Sequence, residues 1–316
     1  MNVLSLFDGI SCGQVALERA GIKYDNYYAS EIDKYAIAVT QTRYPNTIQL
    51  GDVRNLHPGD VPMIDLLIGG SPCQGFSAAG KGLAFDDPRS QLFFEYVRIL
   101  TQVRPKYFLL ENVRMKKEYL DIITKYMEVE PIMINSALVS AQNRVRYYWT
   151  NIPNLTQPED KHIYLKDILE SGDVDRLKSY CIDANYFKGT NLKTYKEKCK
   201  RQIVFEKPQR VGTIGNGGQG QRIYSVEGKS VNLSANGGGG GAITGLYHIV
   251  TEGSVIRKLT PIECERLQNL SDDFTLVPWQ NRMMSNTQRY KQCGNGWTVD
   301  VIAHILKGIN QEQMTI

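Results

Sequence analysis

The 316-residue chain holds no Cys-x-x-Cys pair, no His-x-x-x-His pair and only four histidines. A structural zinc site therefore has no ligand framework, and no metal is expected. Six cysteines stand singly (Cys12, Cys73, Cys181, Cys199, Cys264 and Cys293), a pattern that disfavours a disulfide scaffold and suits a reducing compartment. No apolar run approaches the ~20 residues of a bilayer crossing, so no membrane partner is expected. The opening MNVLSLFDGISCG carries no cationic leader, and Asp8 interrupts its short apolar stretch. A secretory signal is not expected, and a cytoplasmic location is. The phosphate-binding fingerprint Gly-x-Gly-x-x-Gly is also missing from the first turn, which counts against a nicotinamide oxidoreductase.

What is present describes a folded chain. Hydrophobic residues make 42% and charged residues 22%, enough for one large domain or two modest ones. The net charge is only +4, but residues 181–210 hold eight basic residues against three acidic ones. They include Lys196, Lys198, Lys200, Arg201 and Arg210, interleaved with Tyr186, Phe187, Tyr195 and Phe205. This is either a polyanion-binding surface or a solvated helix face.

The first 150 residues alternate between short apolar runs and helical spacing. Strands are expected at Val3–Phe7, Tyr27–Ser30, Ile64–Gly70, Lys106–Leu110 and Val145–Thr150. Helices are expected at Gln14–Ala20, Lys34–Thr42 and Leu92–Val103. Apolar strands with helical crossovers predict an α/β fold, a parallel sheet covered on both faces, with ligands at the carboxyl ends of its strands. After Pro153 the chain turns polar, and residues 211–245 hold twelve of the 28 glycines. Ile223, Tyr224, Val226, Val231, Leu233 and Ile243 recur among them at strand-like spacing, which favours a small loop-rich, mainly β module over a linker. Helices resume at Thr260–Leu270, with Thr260 as cap and Pro261 at the first helical position, and at Val299–Lys307.

Several strand ends gather chemistry. Phe7, Asp8, Gly9 and Gly13 form the first turn; Glu31 ends the second strand, where it suits a ribose diol; Asp52 follows, where an adenine amine could be read. A nucleoside with a diol and an adenine but no pyrophosphate describes S-adenosylmethionine. Cys73 follows Pro72 at the exit of a buried strand, where a rigid turn would expose a nucleophilic thiolate; a lone cysteine is otherwise a small buried hydrophobe. Glu111 follows the next strand, and Arg144 and Arg146 stand in the QNRVR string that leads into the last one. A thiolate adding at C6 of cytosine makes C5 enamine-like, while a carboxyl at N3 removes the charge that would build on the ring.

PCQ (72–74), ENV (111–113), QNRVR (142–146) and GNGW (294–297), in that order behind FDGISCG, resemble the DNA cytosine-5 methyltransferases. The variable middle is similar to bacterial and phage members, whereas SEIDKYA, GDVRNL and AQNRVRYYWTN resemble the animal de novo DNA methyltransferases. The likeness spans residues 1–152 and 256–316.

It implies a Rossmann-like S-adenosylmethionine-dependent sheet, with a catalytic domain over 1–152 and 290–316 and a target-recognition domain over 153–289. It implies Cys73 as nucleophile, Glu111 on N3 and the exocyclic amine, Arg146 on O2, and Arg144 bracing the nucleophile loop and a phosphate. Phe7, Asp8, Gly9, Gly13, Glu31, Ile32, Asp52, Val53 and Pro72 would hold the cofactor, with Asn295 and Trp297 at its methionine end. Trp297 stands where members often carry serine or a smaller residue. Ser77 and Lys81, on a loop that closes over DNA in this family, and Gln219, Gln221, Arg222 and Asn236 join the basic residues as candidate DNA contacts.

The implied substrate is double-stranded DNA, met by a monomer in a bacterial nucleoid or a phage-infected host, with S-adenosylhomocysteine as by-product. Three alternatives stand behind it. One is a transfer-RNA relative, although the Cys-Phe-Thr string usual in those members is absent from 153–256. The others are an inactive scaffold and the oxidoreductase disfavoured above.

Overall fold

The computed structural model describes residues 1–72, 91–205 and 256–313, with side chains through 310, and the backbone of three short strands within 210–247. Period-two burial builds the sheet: Val3 of β1 (Asn2–Leu6) packs on one face and Leu4 and Leu6 on the other. Then come α1 (Cys12–Ala20), β2 (Asn26–Ser30), α2 (Lys34–Arg43), β3 (Ile48–Gln49) and β4 (Leu66–Gly69). The series continues with α3 (Gln91–Val103), β5 (Tyr107–Val113), α4 (Lys117–Met127), β6 (Ile132–Asn135) and β7 (Val145–Thr150).

The strand order is β3-β2-β1-β4-β5-β7-β6. Strands β1 to β5 are parallel, as expected, but β7 runs antiparallel to both β5 and β6. The expectation of a wholly parallel sheet is corrected here: β6 and β7 are joined by a loop too short for a crossover, so they must pair as antiparallel neighbours.

After β7 the chain forms α5 (Leu192–Lys198), β8 (Ile203–Phe205), β9 (Arg210–Thr213), β10 (Arg222–Tyr224), β11 (Leu246–Tyr247) and β12 (Ile256–Lys258). Strand β10 pairs with both β9 and β11, and β12 with β8. Next are α6 (Pro261–Leu267), the hairpin β13 (Pro278–Trp279) and β14 (Arg282–Met283), α7 (Asn286–Asn295) and α8 (Val299–Gln313). Helix α6 starts as its sequence predicts: Thr260 and Glu263 cap each other, and Pro261 sits in the first turn.

Helices α1, α2 and α8 cover one face of the sheet and α3 and α4 the other. A third core joins Leu165, Ile182, Tyr186 and Val204 to Leu259, Leu267, Tyr290 and Cys293. Leu270, Phe274, Val277 and Met284 pack with the sheet, so the chain rejoins the first core before residue 290. Tyr290 and Cys293 pack in the third core. Among the described residues no helix is long and apolar enough to cross a membrane.

Candidate active site

Strand order reverses between β1 and β4, and a cleft of about 930 Å³ opens at the carboxyl ends of the strands there. Its first wall is the β1–α1 turn. Phe7, Gly9 and Ser11 all adopt left-handed backbone, with φ of 58°, 61° and 56°, a sharp turn that Gly9 accepts without Cβ strain. Glu31 at the end of β2 locks it: Oε2 accepts the Gly9 N–H at 2.8 Å, and Oε1 accepts those of Ile32 and Asp33 at 2.7 and 2.8 Å. The carboxylate is thereby aimed before any ligand arrives. Beside it Ile32 is 70% exposed, an apolar surface with no protein cover that fits a flat ring. Asp52 accepts the Arg54 backbone N–H at 3.0 Å and pairs with its guanidinium, which holds its carboxyl below the usual range. Phe7, Gly9, Glu31, Ile32, Asp52, Val53 and Pro72 all line this end.

Two first-turn residues do something else. Asp8 does not line the cleft; it accepts hydrogen bonds from Tyr27 Oη at 2.8 Å and from Ser11 Oγ, and burial pushes its carboxyl up to about 6. Gly13 sits where a Cβ would lie 2.5 Å from Ile68 Cδ1 and 2.6 Å from Tyr27 Oη. Its bareness brings α1 against the sheet.

The opposite end holds Glu111, inside β5 and not beyond it. Arg146 Nε lies 2.9 Å from its Oε1, and Trp297 Nε1 donates to Oε2 at 3.2 Å. Burial opposes the Arg146 charge, but Glu111, Cys181 and Tyr148 together outweigh it and the pKa moves up. Asn112 donates to Ser71 Oγ at 3.4 Å, tying β5 to the segment that enters Pro72. Cys73 lies outside the described residues, directly after Pro72 at the cleft.

Arg144, expected to brace a loop and a phosphate, is 4% exposed. Its guanidinium donates to the carbonyls of Ile182 at 3.1 Å, Gly294 at 3.3 Å and Gly296 at 2.9 Å. It stitches three chain segments together behind the cleft that it borders. Asn295 also lines the cleft, whereas Trp297 reaches it through Glu111.

Sequence reasoning missed Gly70, where a Cβ would lie 2.8 Å from Trp297 Nε1 and 2.9 Å from Glu111 Oε2; the Gly69-Gly70 pair after an apolar strand was the available signal. It also missed residues 182–185, Lys291 and Gln292, which line the cleft and carry no local pattern. Lys291 pairs with Asp33 at 2.8 Å.

Of the candidate DNA contacts, Lys196, Lys198 and Lys200 are exposed on or just after α5. Arg201 donates to the Gly189 carbonyl at 2.8 Å. Arg210 and Arg222 lie in the paired strands β9 and β10. Ser77, Lys81, Gln219, Gln221 and Asn236 lie outside the described residues. Among the described residues no group of three or more His, Cys, Asp or Glu could hold a metal ion.

Residues 1–311 match the profile of the family described as C-5 cytosine-specific DNA methylase. Type II methyltransferase M.HhaI of Haemophilus parahaemolyticus is 31% identical, over 98% of this chain and 94% of its own length. Orphan methyltransferase M.SPRI of Bacillus phage SPR is 27% identical, over 97% of each chain. Among solved structures, the Entamoeba histolytica methyltransferase EhMeth superposes with a TM-score of 0.64 at 16% identity, covering 99% of this chain and 98% of that one. A mutant of Spodoptera frugiperda DNMT2 gives 0.61 at 18%, covering 98% and 99%. Likeness at these low identities is likeness of fold.

Proposed function

The chain belongs to the C-5 cytosine-specific DNA methylase family and is a cytosine-5 methyltransferase dependent on S-adenosylmethionine; we propose that it acts on cytosines swung out of duplex DNA, through a covalent bond from Cys73 to C6. The observation that carries this reading is the single cleft that joins a preset carboxylate, Glu31, to the Glu111–Arg146 pair, with Pro72 also in its lining.

Glu31 would hold the ribose diol, with Ile32 and Phe7 against the adenine and Asp52 and Val53 at its edge. The residues fit S-adenosylmethionine, because Glu31 Oε2 keeps a lone pair for a ribose hydroxyl and Ile32 offers uncovered apolar surface. Bound there, that cofactor supplies an electrophilic methyl group and departs as S-adenosylhomocysteine.

A cytosine inside a duplex is unreachable, so extrusion must cost a few kcal/mol of unstacking. Glu111 would hold N3 and the exocyclic amine, and Arg146 would reach O2. Cys73 thiolate forms the S–C6 bond, and the displaced ring electrons make C5 the nucleophile that takes the methyl. A water chain then removes the C5 proton, and the returning electron pair breaks the C6–S bond. Residues of 153–289 would read the target sequence. The basic residues around α5 would meet phosphates, and a monomer in a restriction-modification or phage setting suffices.

Transfer of tritiated methyl to duplex DNA and to transfer RNA, for wild type and Cys73→Ser, tests the reading. Label on DNA that vanishes in Cys73→Ser is the expected result. Label on RNA alone would transfer the reading to an RNA substrate, and label on neither would leave a binding scaffold.

A further inference from the structure

The loop between α7 and α8 sends Trp297 onto the same carboxylate that Arg146 pairs with. Its backbone is held on both sides: the Gly296 carbonyl accepts from Arg144 at 2.9 Å and from Gln268 Nε2 at 3.2 Å. On the far side, Thr298 Oγ1 and the Val299 N–H bond to Gln268 at 2.9 and 3.0 Å. The indole is thus delivered by a fixed loop. Its N–H donates to Glu111 Oε2 at 3.2 Å, while Arg146 stands 2.9 Å from Oε1. Each oxygen of Glu111 therefore has its own partner, arriving from a different element. Gly70, at the exit of β4, leaves open the space in which indole and carboxylate meet; a Cβ there would intrude on both.

We propose that Trp297 is a positioning residue for Glu111, fixing the carboxylate's rotamer and the plane it presents to the cytosine ring, with Gly70 as the clearance that permits the contact. This rests on the reading of Glu111 as the group that meets N3. An indole N–H is a donor only, so it orients the carboxylate without competing for the proton exchanged with the ring. Arg146 alone would leave Oε2 free to swing about the side-chain torsion. An ion pair on one oxygen and a hydrogen bond on the other define the plane, as a reacting carboxyl requires. The rival role for Trp297 is a wall for the methionine end of the cofactor. The two roles separate experimentally, because a wall acts on cofactor affinity and a positioning residue acts on turnover.

The test uses the full chain with Trp297→Phe, which keeps an aromatic body and removes the donor, and with Gly70→Ala, which wedges the pair apart. Calorimetry gives the Kd for S-adenosylmethionine, steady-state assays give kcat at saturating cofactor, and a 5-fluorocytosine duplex gives the rate of adduct trapping. Both variants are expected to lower kcat by about tenfold, the worth of one hydrogen bond to a charged group, with cofactor Kd within about twofold of wild type. In a Glu111→Ala background Trp297→Phe should cost no further trapping rate. A raised Kd with kcat retained, or losses that multiply in the double variant, would overturn the proposal. Wild type that neither methylates nor traps would sink the reading beneath it instead.

Discussion

Replacing Arg144 by methionine distinguishes an internal strut from a phosphate contact. The guanidinium is 4% exposed and donates to the carbonyls of Ile182, Gly294 and Gly296. Methionine keeps the length of the stem but deletes every one of those donors. The Gly296 carbonyl retains Gln268, so the main losses fall on Ile182 and Gly294. A buried carbonyl deprived of its donor costs ~1–3 kcal/mol, offset in part because a guanidinium no longer has to be kept from water. The net is a destabilisation of about 2–4 kcal/mol. At about 2 °C per kcal/mol for a chain of this size, Tm should fall by roughly 4–8 °C. Differential scanning calorimetry measures this, and DNA binding at graded salt measures the rival role. The strut predicts a lower Tm with the salt slope unchanged. An unmoved Tm together with a slope reduced by ~0.9, the signature of one lost phosphate contact, would refute the assignment.

Three further outcomes follow from single sites. Gly13→Ala forces a methyl against Ile68 and Tyr27 Oη and should cost ~1–3 kcal/mol of overpacking in a urea melt; a neutral result would mean that α1 can lift from the sheet. Burial raises the Asp8 carboxyl to about 6 from 3.8, so between those values the folded chain binds more protons than the unfolded one. The stability this group contributes is therefore present below about pH 4 and lost as pH rises through 6. Asp8→Asn should gain on wild type by up to ~3 kcal/mol between about pH 4 and pH 7, and a stability difference that stays flat across that range contradicts the burial argument. Neutralising Lys196, Lys198 and Lys200 together, all exposed around α5, should flatten the salt dependence of DNA binding by up to ~0.9 per lost contact. An unchanged slope returns them to solvated surface.

Reading the chain without its structure succeeded where physics is local. Val145–Thr150 is a strand at the expected bounds, and Thr260 with Pro261 opens α6, because burial alternation and capping are written in neighbouring residues. Glu31, Asp52, Glu111 and Arg146 all border one cleft, although Glu111 lies inside β5 and Arg146 near the start of β7. Short elements with weak periodicity escaped: β3 is two residues long, and β6 has one fully buried position. Helix α7, with its mean hydropathy well on the polar side, was also passed over. The basic stretch 181–210 was visible as charge, yet nothing in it announced that residues 182–185 would line the cleft.

Sequence alone determined the chemistry available: which acids, which arginines and which thiol stand after which strand, since covalent order and side-chain type need no folding to be known. Tertiary structure decided what each group faces. Asp8 and Gly13 turned inward, Arg144 became a strut, and Trp297 met Glu111 across a gap that only Gly70 leaves open. The reason is geometric. A side chain's partner is set by how distant segments pack, and Glu111 and Trp297 are brought together by the sheet and two helices rather than by anything near either of them in the chain.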